Sequence, residues 1–286
     1  MGSCFFVSDL HGDETRYRKL LAAIRAERPR GVFLGGDLLP TAGFYAAPGG
    51  PSLDFVSGFL VPSFLGLARD LGPDRPEVFL IFGNDDPRSE EGAVRAAAEE
   101  GAWHYVHWEC HAFGRHQVLG YSFVPPTPFL NKDWERYDVS RYVDPGCVPP
   151  EEGFHTAPVS DQEASRSTIG DDLDVLMHDR DLTNAILLFH APPYRTPLDL
   201  MEGEGRTVDH ASADPHVGSI AVLRFLEDRQ PLLSLHGHIH EAARVSGAWR
   251  CRIGRTHALG GAHDGPELAL VRFDPDAPEE ATRVLI

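Results

Sequence analysis

Three histidines, His236, His238 and His240, occupy alternate positions in the segment LLSLHGHIHE of residues 232–241. While a chain stays extended, alternate side chains project from one face, so the three imidazoles are expected to lie together. A lone histidine at such a position is most often a buried structural residue or the polar end of a strand. Three histidines around a glycine favour a metal site, because neutral imidazole commonly ligates zinc, iron, manganese and nickel. The remaining ligands must come from elsewhere in the chain.

Possible metal ligands also follow four other apolar segments, just after the last apolar residue of each. They are Asp9 and His11 after CFFVS, Asp37 after VFLGG, Asn84 after VFLIFG, and His190 after AILLF. Singly, each aspartate could cap a helix and the asparagine could belong to a turn. Helix capping does not account for the histidines. In an open α/β sheet, ligands bind outside the carboxyl ends of the strands, so all five segments would aim their side chains at one edge.

The elements that position these side chains alternate between apolar strands and helices in the first 100 residues. Strands are predicted within residues 4–12, 30–40 and 77–87, and helices over 14–27, 53–71 and 88–100. Further on, the pattern predicts a strand pair within 103–124, a helix near 163–179, the strand AILLF, a helix over 216–230, the strand LLSLH, and hairpins from about 249 to 286. This alternation indicates an α/β fold whose strands are buried on both faces.

No internal repeat or linker divides the 286 residues, so a single domain over residues 1–286 is expected. Residues from about 125 to 165 lack a sustained period but contain large apolar groups, which predicts an ordered insertion or lid. No membrane span is expected, because no segment has roughly 18–20 consecutive apolar residues, and no secretory signal is expected, because the N-terminal residues have no basic region. Four widely spaced cysteines are typical of free thiols in a reducing cytoplasm.

The net charge of −17 comes from 26 basic and 43 acidic residues. Such a surface would repel long nucleic acids and anionic membranes, unless bound metal ions reverse the sign locally. The composition therefore favours a small-molecule substrate over a polyanionic or membrane partner. The oligomeric state is not indicated by the sequence.

Taken in order, the motifs resemble the signature of the calcineurin-like metallophosphoesterases. They are D-x-H-G at residues 9–12, G-G-D at 35–37, G-N-D at 83–85, H-A-P-P at 190–193 and G-H-x-H at 237–240. The resemblance extends over nearly the whole chain. It implies a four-layer α/β/β/α sandwich with two central sheets, and a metal site at the C-terminal ends of the strands.

The resemblance also implies two divalent transition metal ions. The first would be held by Asp9, His11 and His240, the second by Asn84, His190 and His238, and Asp37 would bridge both. Ligation by carboxylate, amide and imidazole together suits manganese, iron, zinc or cobalt. A shared carboxylate can hold two ions about 3.5–4 Å apart, the separation at which a metal pair promotes in-line displacement at phosphorus. The expected reaction is attack of a metal-activated water on a phosphate ester, with phosphodiesters slightly favoured over phosphomonoesters.

One position departs from the family pattern, because Asp85 stands where many members have a histidine that protonates the leaving group. Asp85 could replace that acid only if its pKa were raised, and neighbouring cations would lower it. His236, His216 or His263 could supply the proton from another segment. Alternatively, a substrate with a good leaving group would need no acid.

Candidate substrate contacts are Tyr194 and Arg195, which directly follow the His190 loop. Lys132, Arg136 and Arg141 are weaker candidates and are more typical of ordinary solvated charges. Two other functions are compatible with the motifs: a serine/threonine-type protein phosphatase, and a catalytically weak metal-binding interaction scaffold. The complete ligand set argues against the scaffold, since an abandoned site would be free to lose ligands.

Overall fold

The computed structural model describes residues 3–41, 54–202, 207–208, 211–212 and 214–286. Within these residues, strands β1 to β14 span Cys4–Val7, Gly31–Gly35, Glu77–Ile81, His104–Tyr105, Cys110–Phe113, His116–Tyr121, Ala185–Phe189, Thr207–Val208, Ala211–Ser212, Leu233–His236, Arg250–Ile253, Thr256–Gly260, Ala269–Phe273 and Thr282–Leu285. Helices α1 to α7 span Glu14–Glu27, Val61–Leu71, Glu91–Glu99, Asp161–Arg166, Ile169–Leu176, Ile220–Arg229 and Ala242–Ser246.

Two mixed sheets of six strands form the centre of the described chain. The first has the order β14-β13-β1-β2-β3-β4, and the second has the order β11-β12-β10-β7-β6-β5. Strands β1 to β4 are mutually parallel, as are β6, β7, β10 and β12. The carboxyl ends of the parallel strands therefore gather at one edge of each sheet.

The two sheets pack face to face through large apolar side chains. Phe33 and Phe79 of the first sheet contact Phe113 of the second, with ring centroids 5.8 and 5.4 Å apart. Ile186 and Leu235 of the second sheet belong to the same fully buried cluster. This layer explains why the strands are apolar on both faces, because the opposite faces are covered by helices.

Alternate residues of each strand pack outward against helices. In β1, Phe5 and Val7 join the cluster that contains Leu20 and Ile24 of α1, whereas Phe6 points between the sheets. In the second sheet, Leu187 and Phe189 belong to the same cluster as Leu173 of α5 and Val222 of α6. The four-layer α/β/β/α sandwich implied by the motifs is therefore confirmed.

Two predicted helices differ in detail from the structure. The helix expected near 163–179 is divided at Ser167 and Thr168, because both residues have extended backbone and the Thr168 hydroxyl accepts from Asp171 N as the cap of α5. Of the helix expected over 53–71, position 53 lies outside the described residues, and the described part runs as a π-helical segment, Val56–Leu60, into α2. Pro62 in the first turn of α2 has no N–H to donate to the preceding turn.

The predicted insertion, residues 125–165, is largely irregular but well packed. Its short regular segments are a 3-10 turn, Pro150–Glu152, and most of α4. Trp134 is fully buried and contacts Phe82 and Phe123 with ring centroids 5.6 and 5.4 Å away. Trp134 is therefore part of the packed interior, whereas the role of this segment as an insertion or lid stays a prediction. Within the described residues, no helix is both long and apolar enough to cross a membrane.

Candidate metal centre

The loops after five parallel strands bring the seven predicted ligands to one edge of the sandwich. They are Asp9 and His11 after β1, Asp37 after β2, Asn84 after β3, His190 after β7, and His238 and His240 after β10. The two sheets meet at this edge, where His11 Nε2 lies 3.1 Å from His240 Nε2. Separate segments thus converge as the strand-end pattern predicts.

The ligand atoms form two groups that have one residue in common. The first group consists of Asp9, His11, Asp37 and His240, and the second of Asp37, His190 and His238. Within each group, one ligand atom per residue lies within 4.8 Å of all the others. Asn84 adjoins the second group, with its Oδ1 3.1 Å from His190 Nε2. This division matches the two ligand sets implied by the motifs, with Asp37 common to both.

Asp37 faces both groups through the same carboxylate oxygen. Its Oδ2 is 3.3 Å from His190 Nε2 and 3.9 Å from His11 Nε2. Its other oxygen, Oδ1, accepts a hydrogen bond of 2.8 Å from Asp85 N, which fixes the orientation of the carboxylate. On the far side of the first group, Asp9 Oδ1 lies 3.3 Å from His240 Nε2.

Four of the predicted ligands have left-handed backbone conformations. The φ angles are 59° at Asp9, 47° at His11, 52° at Asp37 and 75° at His238. Non-glycine residues rarely adopt this region, and each instance costs on the order of 1–3 kcal/mol. Such a concentration of strain at one edge indicates that the fold holds these side chains for a function.

Hydrogen bonds to the backbone fix the ligands further. His190 Nδ1 is 2.8 Å from Gly35 O, which makes Nδ1 the donor and turns Nε2 toward Asp37. His238 N donates to both carboxylate oxygens of Asp9, at 3.0 and 3.2 Å. The ligand side chains are therefore held in position by the protein itself.

Two glycines of the motifs allow the loops to approach this closely. A Cβ on Gly83 would lie 2.5 Å from His190 Nε2, and one on Gly237 would lie 2.7 Å from Asp9 Oδ2. Any side chain at either position would therefore displace a predicted ligand.

The carboxylates strongly favour positive charge at the site. Burial disfavours the charged form of His190, but the adjacent Asp37 carboxylate raises its pKa to about 10. At His240, burial is likewise outweighed by Asp9, and the pKa rises to about 9. For His238, burial and the neighbouring His190 lower the pKa to about 3. Divalent cations fit such a set, because they would replace the protons on the imidazoles while the carboxylates stay ionised.

Asp86 is a residue of the site that the sequence did not single out. It is fully buried and accepts hydrogen bonds from Leu38 N, Leu39 N and Gly83 N at 2.8, 2.7 and 2.8 Å. Burial and the nearby Asp37 raise the pKa of Asp86 well above its usual range. Through these three hydrogen bonds, Asp86 connects the loop that carries Asp37 to the loop that carries Asn84. In the sequence, the feature that could have drawn attention to Asp86 is its position directly after the G-N-D motif.

Asp85, a predicted proton donor, lies at the edge of the first group. Its Oδ2 is 3.5 Å from His11 Nδ1, and its side chain is 24% exposed. Burial and the neighbouring Asp37 raise the pKa of Asp85 to about 6. Bound cations would lower that pKa again, because they favour the ionised carboxylate.

His216, Tyr194 and Arg195 lie together around two aspartates. His216 Nδ1 is 2.8 Å from Oδ1 of Asp199, a fully buried carboxylate that the sequence did not single out. Tyr194 Oη donates to Asp214 Oδ2 at 2.6 Å, and Arg195 Nη2 lies 3.5 Å from the same oxygen. The residues that follow the His190 loop therefore belong to a cluster of polar side chains.

His236 does not share a face with the other two histidines, so that expectation is wrong. Strand β10 ends at His236, and the left-handed backbone at His238 turns the chain before the ligands. The ring of His236 is fully buried and stacked on Phe189, with Nδ1 2.9 Å from Ala191 O. Burial lowers the pKa of His236 to about 4. These contacts favour a structural role over proton donation.

The remaining candidates from the sequence have structural partners. His263 Nε2 is 3.0 Å from Glu267 Oε2. Lys132 is not a solvated charge, because its side chain is fully buried and pairs with Glu135. Arg136 pairs with Glu163 and Asp172, and the exposed Arg141 pairs with Glu151. These ion pairs give no support to Lys132, Arg136 and Arg141 as substrate contacts.

The fold and the converging aspartates and histidines define an α/β protein with an edge that could hold cations. A family model described as calcineurin-like phosphoesterase matches residues 4–242, so the chain belongs to that family. Its fold is similar to that of the protein TT1561 of Thermus thermophilus, at 16% identity over 99% of this chain and 98% of that chain, with a TM-score of 0.56. Another crystal structure aligns at 14% identity over 100% of this chain and 99% of its own, with a TM-score of 0.58. No curated protein matches this chain.

Proposed function

We propose that this protein is a dinuclear metal-dependent phosphoric ester hydrolase. The observation that carries the proposal is the pair of ligand groups joined by the Oδ2 atom of Asp37. A shared carboxylate is the arrangement needed for two ions about 3.5–4 Å apart. When bound, two such ions would supply an activated water and neutralise charge on the transferring phosphoryl group.

The chain's residues would divide the metal positions as the motifs imply. Asp9, His11 and His240 would hold the first position, and Asn84, His190 and His238 the second, with Asp37 between them. Manganese, iron, zinc and cobalt all suit this donor set. His190 would use Nε2, because its Nδ1 is held by Gly35 O.

We propose a small-molecule phosphate ester as the substrate, with phosphodiesters slightly favoured over phosphomonoesters. The net charge of −17 disfavours long nucleic acids, whereas a single phosphate group would be attracted to the bound cations. Asp85 replaces the histidine that many members of the family place beside the asparagine. An ester with a good leaving group would tolerate this replacement best.

Of the four candidate proton donors named from the sequence, His216 has the most suitable surroundings. Asp199 is buried and holds Nδ1 of His216, which leaves the Nε2 edge of the ring turned away from that carboxylate. Asp85 would be kept ionised by the cations, and His236 is enclosed by apolar residues. Tyr194 and Arg195, next to His216, are the proposed substrate contacts.

The test is a screen of metals against substrates with the wild type and Asp37→Ala. The metal-free protein would be loaded with manganese, iron, zinc or cobalt and assayed with bis-p-nitrophenyl phosphate, p-nitrophenyl phosphate and a phosphopeptide. We expect metal-dependent hydrolysis that is fastest on the diester and is lost in Asp37→Ala. Preference for the phosphopeptide would indicate a protein phosphatase. An absence of hydrolysis with every metal would favour the interaction scaffold, and activity in Asp37→Ala would contradict the two-metal arrangement.

A further inference from the structure

The insertion, residues 125–165, reaches the metal edge through Asn131. Asn131 Nδ2 donates a hydrogen bond of 3.2 Å to the backbone carbonyl of Asn84, a predicted ligand of the second metal position. Asn131 Oδ1 accepts from Asp133 N at 3.3 Å, which identifies the amide nitrogen as the atom that faces Asn84. Because Asn131 is only 9% exposed, this contact is shielded from water.

Two further hydrogen bonds connect the insertion to the residues that follow Asn84. Arg88 N donates to Asp133 Oδ2 at 2.8 Å, and Ser89 N donates to Thr156 Oγ1 at 3.0 Å. Asp133 is itself held by Thr156 N, which donates to its Oδ1 at 2.8 Å. The loop over residues 84–89 is therefore attached to the insertion at both ends.

We propose that Asn131 is a positioning residue for the second metal position, and that the insertion contributes to metal binding through it. This inference rests on the proposed two-metal function. The side chain of Asn84 is a neutral amide, so it attracts a cation less strongly than a carboxylate and depends more on exact placement. Asn131 fixes the backbone of Asn84, while the side chain of Asn84 faces His190 Nε2.

The first metal position shares Asp37 with the second, but Asp9, a ligand of the first position only, is held by contacts outside the insertion. Asp9 is held by His238 N through both carboxylate oxygens, and its backbone carbonyl accepts from Arg16 Nη1 at 2.9 Å. Neither contact involves residues 125–165. Loss of the Asn131 contact is therefore expected to lower the metal affinity of the second position and to leave that of the first unchanged.

The experiment is a calorimetric titration of the full-length, metal-free protein with Mn²⁺. Asn131→Leu removes the amide donor at nearly constant size, and Asn131→Ala serves if that variant does not fold. We expect two binding events in the wild type. In the variant, one event should weaken by about 10–100-fold, the usual effect of removing a residue that orients a ligand, while the other keeps its dissociation constant. Asn84→Ala should weaken the same event.

The matched control is Tyr137→Phe, which removes a hydrogen bond within the insertion, from Tyr137 Oη to Glu151, and leaves the Asn84 loop unchanged. It should retain both dissociation constants. If Asn131→Leu also retains both, the inference is overturned while the proposed function stands. Equal weakening of both events together with a lower melting temperature would overturn it in favour of a purely structural role. Fewer than two events in the wild type would contradict both this inference and the two-metal function.

Discussion

The candidate metal centre and the insertion both bury carboxylates, but these carboxylates have different partners. In the insertion, Glu135 pairs with the buried Lys132 and accepts from Thr127 N and Oγ1 at 2.8 and 2.6 Å. In the metal centre, Asp9 and Asp37 face imidazoles instead of lysine or arginine side chains. The insertion thus supplies a fixed cation, Lys132, whereas the carboxylates of the candidate metal centre face imidazoles, whose protons a divalent cation could replace.

The same contrast is seen at Asp138 of the insertion and at Asp172 of α5, which pairs with Arg136 of the insertion. Asp138 accepts hydrogen bonds from Ile220 N and Ala221 N at 2.7 and 3.2 Å, at the N-terminus of α6, where a negative charge is favourable. Asp172 of α5 accepts from Tyr121 Oη and pairs with Arg136. The comparison teaches that burial of an acidic side chain does not itself identify a functional site. The distinguishing property is the set of partners, because Asp9 and Asp37 face several converging imidazoles that could bind a cation with them.

The largest effect is expected for Asp9→Asn. The amide cannot supply the negative charge that the first metal position requires, so kcat/KM for bis-p-nitrophenyl phosphate with Mn²⁺ should fall about 1,000-fold or more. Circular dichroism should show an intact fold. The matched control is Asp172→Asn, which alters a buried carboxylate with structural partners only. Equal activity losses in the two variants would remove the distinction between the regions.

Lys132→Met should have the opposite profile, with a loss of stability and retained chemistry. Removing the lysine leaves the Glu135 carboxylate buried without its cation, which costs about 3–5 kcal/mol in a buried ion pair. Urea titration of the metal-free protein measures the free energy of unfolding. The folded variant should still gain thermal stability from Mn²⁺, whereas Asp9→Asn should gain less. An unchanged free energy of unfolding would show that this pair is not essential for stability.

The convergence of the candidate metal ligands could be predicted from the sequence because each of these residues follows an apolar strand. Local pattern fixes the strands, and parallel strands bring their carboxyl ends together, so Asp9, Asp37 and His190 converge without long-range information. The partners within the insertion could not be predicted in this way. Lys132 and Glu135 meet in a segment without periodicity, and the burial of Lys132 follows from tertiary packing. For the same reason, Asn131 and Asp199 gave no signal in the sequence.

The histidines of HGHIH show the limit of a periodicity argument. Alternation predicts one face only while the strand continues, and β10 ends at His236. The positive φ at His238 could not be predicted from the local sequence, because non-glycine residues seldom adopt this conformation. His238 and His240 consequently reach the edge of the sheet, while His236 stays in the core.

The smallest effect is expected for His236→Gln, which tests whether His236 belongs with the metal centre or with the core. Glutamine can still donate to Ala191 O but lacks the ring that stacks on Phe189. The free energy of unfolding should fall by about 1 kcal/mol. The dependence of kcat/KM on the pKa of the leaving group, measured with a series of substituted aryl phosphodiesters, should keep its wild-type slope. His216→Gln is the comparison variant, and its slope should steepen, because poor leaving groups need a proton donor most. A steeper slope for His236→Gln with an unchanged melting temperature would instead assign proton donation to His236.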